Sequence, residues 1–382
     1  MKSDQINNHY RNLREWLFRS ALPLWADIGI DRQNGGFHER LTSEGAIIHD
    51  ARRARLVARQ IYVYSTAAKL GWTGDSDAIV RHGLDWLLGK MVEDGTVTPV
   101  VDGSGAPISN QFDLYDHAFV LFSLAFGPCH YSPRPLEAEA LAVYRHMAPW
   151  RHSYMGFQET LPPSVPLKAN PHMHLLEAAL AWEQISDEPG WSSLADELAE
   201  LCLTHFISSE TGALHEYFDQ EWHAMKIPGT PEVEPGHQYE WAWLLLRWGE
   251  LRSRPDALSS ARRLIHLTEK HGVSRQCLAV NGLARDLTVA DSLHRLWPQT
   301  ERIKALAALA TISKGTEKCW AIERLVEANR GLARFFDHPV KGAWWEHLDE
   351  NGAPKQEPTR ASSLYHITCA FSELASRLPA MA

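Results

Sequence analysis

Three short stretches of the chain set ionisable side chains where a helix should begin. In Pro235-Gly236-His237-Gln238-Tyr239-Glu240-Trp241 a Pro-Gly turn leads into an apolar helical pattern, and Glu240 follows His237 by three residues, which puts both on one helix face. A histidine near neutral pKa can take and return a proton, and a carboxylate beside it can orient the ring or hold a hydroxyl. The ordinary alternative is a helix-start histidine with Glu240 serving the helix dipole. Ser362-Ser363-Leu364-Tyr365-His366 has the same character, with serines able to cap a helix whose first turn carries His366. Taken alone, a histidine beside a tyrosine is more often structural. Asn170-Pro171-His172-Met173-His174 sets two histidines two apart, a spacing that can chelate a metal from an extended loop. No third ligand stands nearby, so no metal is expected; His174 goes to a ligand-binding rim and His172 to structure.

The elements that must position these residues show themselves as an internal repeat. A glycine followed by a short extended segment recurs at Gly36, Gly95, Gly156, Gly212, Gly272 and Gly342, at intervals of 56 to 70 residues. Several copies run on to a second turn signal, as in Thr42-Ser43-Glu44-Gly45 and Asp349-Glu350-Asn351-Gly352, the pattern of a β-hairpin. Between the glycines, apolar residues return at three- and four-residue steps, as in Trp241, Leu244, Leu245 and Trp248, and each interval holds about two helices. Six units of helix pair plus hairpin predict an all-α toroid, a single domain over residues 1–382 in which inner and outer helices alternate. An open solenoid or two unrelated helical domains fit the same periodicity. The lack of a Pro/Gly/Ser-rich linker favours closure.

In a closed toroid all inner helices start on the same face. Arg53, Tyr115, Asn170, His174, His237, Glu240, Trp297, Glu301 and His366 each fall 14 to 29 residues after a repeat glycine. They are therefore expected to converge on one polar site, with His237, Glu240 and His366 as its acid/base centre. Read alone, Arg53 in Arg52-Arg53-Ala54-Arg55 is surface charge. Most of the fifteen tryptophans belong to the core, although one such as Trp297 can stack on a ligand ring.

Composition narrows the ligand. The chain of 382 residues is 45% hydrophobic and 22% charged, ordinary for a globular protein with a large core. Its net charge of −9 and the absence of a dense Lys/Arg run offer no track for nucleic acid and no face for an anionic membrane. A small neutral or polar ligand fits better. Five dispersed cysteines, Cys129, Cys202, Cys277, Cys319 and Cys369, argue against disulfides and structural zinc and point to a reducing cytoplasm. The polar start of the chain has no signal-peptide core, and no run of roughly 20 apolar residues suits a membrane span. A phosphate-cradling loop, a Gly-x-Ser-x-Gly elbow and a His-Glu-x-x-His helix are all missing, which leaves nucleotide hydrolysis, serine hydrolysis and zinc proteolysis unsupported.

The assembled motifs resemble the N-acylglucosamine 2-epimerase superfamily, and within it the bacterial aldose–ketose isomerases that act on mannose. The most specific matches are Arg53 with Arg59-Gln60, Asp113-Leu114-Tyr115-Asp116-His117-Ala118-Phe119 and Asn170 through Glu177. To these add Pro235 through Trp241, Trp297-Pro298-Gln299-Thr300-Glu301 and Ser363 through His366. The resemblance implies an (α/α)6 barrel and acid/base catalysis without metal or other cofactor, with His237 and His366 as the two catalytic histidines. It places Arg53, Tyr115, Asn170, His174 and Glu240 around the sugar, and Trp297 and Glu301 more loosely. The implied reaction is interconversion of D-mannose and D-fructose through an enediol(ate), with lyxose and xylulose as an extension, by a monomer or homodimer acting on a monosaccharide. The rival outcome is 2-epimerisation of mannose, glucose or N-acylglucosamine. A glycoside hydrolase on the same barrel would need two opposed carboxylates, and a sugar-binding protein would need no acid/base pair. With no basic cluster evident at the rim, the sugar is expected to be unphosphorylated.

Overall fold

In the computed structural model the described residues are 2–127, 131 and 135–381; Cys129 lies outside them. Six helix pairs follow one another. The first outer element is α1 (Lys2–Trp16) continued through a π-turn at Leu17–Ala21 into α2 (Leu22–Asp27), and its inner partner is α3 (Ala54–Lys69). Outer α4 (Ser76–Trp86), α6 (Leu136–His146) and α8 (Pro189–Leu201) precede inner α5 (Leu114–Leu124), α7 (Ala169–Glu183) and α9 (Pro235–Arg252). Outer α10 (Pro255–His271) and α12 (Gly315–Ala333) precede inner α11 (Leu296–Ile312) and α13 (Ser363–Met381). Each inner helix packs on the next, and α13 packs back on α3 while α1 packs on α12 and α13. The ring closes as an (α/α)6 barrel, which distinguishes it from an open solenoid.

The two layers follow from side-chain pattern. Inner α9 is buried on all sides from Pro235 to Leu246, because neighbours, outer helices and the barrel interior surround it. Outer α10 buries only the stripe Ala257, Ala261, Leu264, Ile265 and Thr268, the narrow apolar face of an amphipathic helix. Each fully buried leucine of the inner ring, such as Leu244 or Leu306, contributes roughly 2 kcal/mol relative to exposure. Small residues on α11, Ala305, Ala307, Ala308 and Ala310, are buried at the same ring.

The expected hairpins form, but the pairings that organise the rim run between repeats. Arg40–Leu41 pairs with Ile47–Ile48 across the Thr42–Gly45 turn and, on its other side, with Thr359–Arg360 from the last repeat. Arg52–Arg53 pairs with Val100–Val101, Leu167–Lys168 with Tyr217–Phe218, and His294–Arg295 with His347–Leu348, all antiparallel. These stitches also supply what the inner helices lack at their starts. The first amides of α3, α7 and α11 donate to Pro99, Glu216 and Glu346 carbonyls of the neighbouring repeat, so tertiary partners satisfy N–H groups that a capping side chain would otherwise take. Gly342 shows why the repeat begins with glycine. Its φ is +90°, and a Cβ there would stand 2.5 Å from the Ser20 carbonyl oxygen.

Among the described residues no helix is long and apolar enough to cross a membrane. Cys202, Cys277, Cys319 and Cys369 are free thiols.

Candidate active site

The starts of the inner helices open on one cavity of about 600 Å³, within the range of small-molecule sites. Arg53 just before α3, Tyr115 on α5, Asn170 and His174 on α7, His237 and Glu240 on α9, Trp297 on α11 and His366 on α13 all line it. Glu301 does not. Its side chain is fully buried behind His366 and takes the His366 Nδ1–H at 2.8 Å, so it positions a histidine and is out of reach of a ligand. His172 is also outside the cavity: its Nδ1 donates to the Lys168 carbonyl at 2.8 Å and its Nε2 accepts from the Phe157 amide at 3.0 Å.

Two of the histidines that line the cavity, His237 and His366, are built alike. His237 donates Nδ1–H to Glu216 at 2.8 Å, as His366 does to Glu301, and in each case Nε2 is the nitrogen left to serve the cavity. Trp297 lies between them, 5.0 Å from the His237 ring and 5.6 Å from the His366 ring. Gly236 makes room for this indole, since a Cβ there would approach it to 2.3 Å. Glu240 is therefore not the partner that orients His237. It sits deeper, with Oε1 buried and making no hydrogen bond, 3.9 Å from the Lys304 ammonium and 4.0 Å from His174 Nδ1. Asn170 Oδ1 is a second buried acceptor without a partner. Unmet acceptors in a cavity wall are costly unless a ligand supplies donors, and hydroxyl groups would do so.

Surroundings drive the two histidines apart. Burial opposes the imidazolium at both, but at His237 the carboxylates of Glu216, Glu234 and Glu240 outweigh it and lift the pKa to about 9. At His366 burial prevails. Glu301 favours the cation, yet Arg59 and Lys304 oppose it, and the pKa falls to about 4. At neutral pH the shifts leave His237 protonated and His366 neutral. His174, buried beside Glu177, is likewise neutral, with a pKa near 4 through desolvation. Burial, reinforced by the charge on Glu301, raises the Glu240 carboxyl well above the usual range, against the opposing pull of Lys304.

Several working residues escaped the sequence reading. Glu216, Glu39, Glu159 and Glu346 each follow a repeat glycine by three or four positions and grip the residue that opens an inner helix. Glu39 holds Arg53, with the backbone amide at 2.9 Å and an ion pair to the guanidinium. Glu159 pairs Lys168 at 3.3 Å, and Glu346 takes the Arg360 amide at 2.9 Å and the Ser363 hydroxyl at 2.8 Å. Ser363 thus donates to a carboxylate and does not cap α13. The recurring glutamate, three residues after Gly36 and Gly156 and four after Gly212 and Gly342, was visible in the repeat. The arginine cluster is not loose surface charge either: Arg52 is buried against Asp31, and Arg55 pairs Asp116 at 3.0 Å.

A family model described as N-acylglucosamine 2-epimerase (GlcNAc 2-epimerase) matches residues 35–370. The chain belongs to this family of sugar epimerases and isomerases. It is 39% identical to a mannose-6-phosphate isomerase of Rhizobium meliloti (strain 1021), with 97% of each chain covered. It is 25% identical to a D-mannose isomerase of Thermobifida fusca over 95% of each. Its fold matches the structure of cellobiose 2-epimerase from Bacillus thermoamylovorans B4167 at a TM-score of 0.85 and 15% identity, covering 97% of this chain and all of that one.

Proposed function

We propose that the protein is an aldose–ketose isomerase that interconverts D-mannose and D-fructose as free, unphosphorylated sugars. The observation that carries this reading is a pair of carboxylate-anchored histidines that face one polar cavity, in surroundings that shift their pKa values in opposite directions. His237 gives its Nε2 proton to the ring oxygen and recovers one from the O1 hydroxyl, which opens the sugar to its aldehyde. Neutral His366 then takes the C2 proton, the electron pair forms C1=C2, and O1 accepts a proton from His237 to give the enediol. Loss of the O2 proton back to His237 forms the C2 carbonyl as His366 returns its proton to C1. A base with a pKa near 4 gives that proton back readily. Glu240 and the acceptor on Asn170 hold substrate hydroxyls.

Charge pairing over part of the mouth supports the neutral sugar: Arg53, Arg55, Lys168 and Arg295 are each matched by a carboxylate, Glu39, Asp116, Glu159 and Glu234, and a phosphate there would have to displace these partners. Arg59 and Arg360 also line the cavity and form no ion pair with a carboxylate among the described residues, so mannose 6-phosphate is the substrate to set against mannose. Two imidazoles in one cavity also favour a second reading, 2-epimerisation, in which C2 is reprotonated on its other face.

Incubation with mannose in D2O, followed by NMR, tests the proposal. Fructose carrying deuterium at C1 is the expected product. Glucose deuterated at C2 would establish the epimerase instead, turnover of oligosaccharides with mannose inert would establish a hydrolase, and a higher kcat/KM for mannose 6-phosphate than for mannose would overturn the unphosphorylated substrate.

A further inference from the structure

Beneath the cavity floor lies a lysine that the chemistry above does not use. Lys304 stands on α11, one turn after Glu301, with a side chain fully removed from solvent. Its ammonium is 2.6 Å from Glu301 Oε2 and 3.9 Å from Glu240 Oε1, and it sits 3.9 Å above the Trp243 ring. A buried lysine without a purpose for its charge is costly, since ammonium desolvation amounts to several kcal/mol. Here the cation is placed against the outer oxygen of the one carboxylate whose inner oxygen holds His366.

We propose that Lys304 is a positioning residue for His366, acting through Glu301: the ammonium keeps Glu301 an ionised acceptor, which pins the His366 proton on Nδ1 and leaves the Nε2 lone pair for substrate carbon. The inference rests on His366 being the base in the reaction proposed above, although the arrangement itself can be tested without turnover.

The physical reason lies in the crowding of acids. Glu301 on α11, Glu240 on α9 and Glu177 on α7 meet around the lysine, and the Cys369 thiol of α13 also faces it. Arg59 from α3 faces His366, and Tyr365 donates to Glu177 at 2.5 Å. Without a central cation the buried carboxylates repel, and one of them takes up a proton. Burial favours protonation of Glu301 as well, but Lys304 and the His366 hydrogen bond outweigh it and hold the carboxyl below its ordinary range. A neutral Glu301 would turn its own O–H toward His366 Nδ1 and force the ring proton onto Nε2, the tautomer that cannot accept from carbon. The corresponding carboxylate of His237, Glu216, has no lysine partner among the described residues, and there the carboxylates of Glu216 and Glu234 favour the imidazolium, which carries a proton on both nitrogens.

The test combines tautomer and pH. In wild-type protein labelled with 15N-histidine, the His366 ring, assigned by its loss in His366→Asn, is expected as the Nδ1–H tautomer at neutral pH; an Nε2–H ring overturns the proposal without any variant at Lys304. In Lys304→Met the Nδ1–H form should give way to a mixture or to Nε2–H. On mannose, kcat should fall about tenfold or more while KM stays within about threefold, and the acid limb of kcat/KM should move to higher pH because both His366 and Glu301 lose a nearby cation. If Lys304→Met folds with an unchanged tautomer and acid limb, Lys304 is structural and the proposal fails. Should Lys304→Met not fold, Lys304→Gln is read by the same two measurements. Absence of mannose turnover in wild type would sink the isomerase reading and leave the tautomer result to decide this one.

Discussion

The Glu216–His237 and Glu301–His366 pairs have the same bond, Nδ1 to carboxylate at 2.8 Å, and opposite charge states. His237 stands among three carboxylates, whereas the single carboxylate of His366 is shared with Lys304 and Arg59 lies nearby. The comparison teaches that a hydrogen-bonded carboxylate fixes a histidine's orientation without fixing its protonation. The second ring of charge does that, because in a desolvated site each uncompensated neighbour counts.

Removing the histidines should separate the pairs most. His366→Asn is expected to lower kcat by on the order of 10³-fold and to abolish exchange of the C2 proton into D2O, whereas His237→Asn should slow ring opening by about 10²-fold. Exchange at the wild-type rate in His366→Asn would reassign the base. Next in size, Glu301→Gln should reduce kcat by about 10- to 100-fold, because an amide can present its N–H to Nδ1 and favour the wrong tautomer. NMR of the His366 ring would show the switch.

The pH profile reads the same difference. The proposed reaction requires His366 neutral and His237 protonated, so kcat/KM should hold a plateau bounded by limbs near pH 4 and near pH 9. Glu216→Gln removes a charge that stabilises the His237 cation, so its pKa falls and the alkaline limb should move toward neutral pH while the acid limb stays. Movement of the acid limb alone would mean the two roles are reversed. The smallest expected effect on catalysis belongs to His172→Gln. It breaks two buried hydrogen bonds and should lower stability by about 2 kcal/mol in a urea titration, with kcat of the folded protein unchanged.

Much of this was legible in the chain. The six glycines, the two-helix intervals and the polar residues ahead of each apolar run specify the ring, and eight of the nine expected site residues line its cavity. Glu301 was read as a binding residue from its distance after Gly272 and the family resemblance, but Trp297 lies at the cavity wall while Glu301 sits behind His366. Glu240 was read as a companion of His237 because they share a helix face; the actual partner, Glu216, comes from the preceding hairpin, 21 residues earlier. The full set of cations at the mouth was missed because Lys168, Arg295 and Arg360 come from other repeats and join Arg53, Arg55 and Arg59 only in the closed ring.

By itself the sequence determined the period of the fold, the glycines its turns require and the place of each histidine at a helix start, since these depend on local backbone geometry and hydrophobic spacing. Only the tertiary structure decided which carboxylate holds each ring, which way each histidine's pKa is driven and that Lys304 stands against Glu301. Those properties depend on distances between side chains from different repeats and on their removal from water, and neither is a function of separation along the chain.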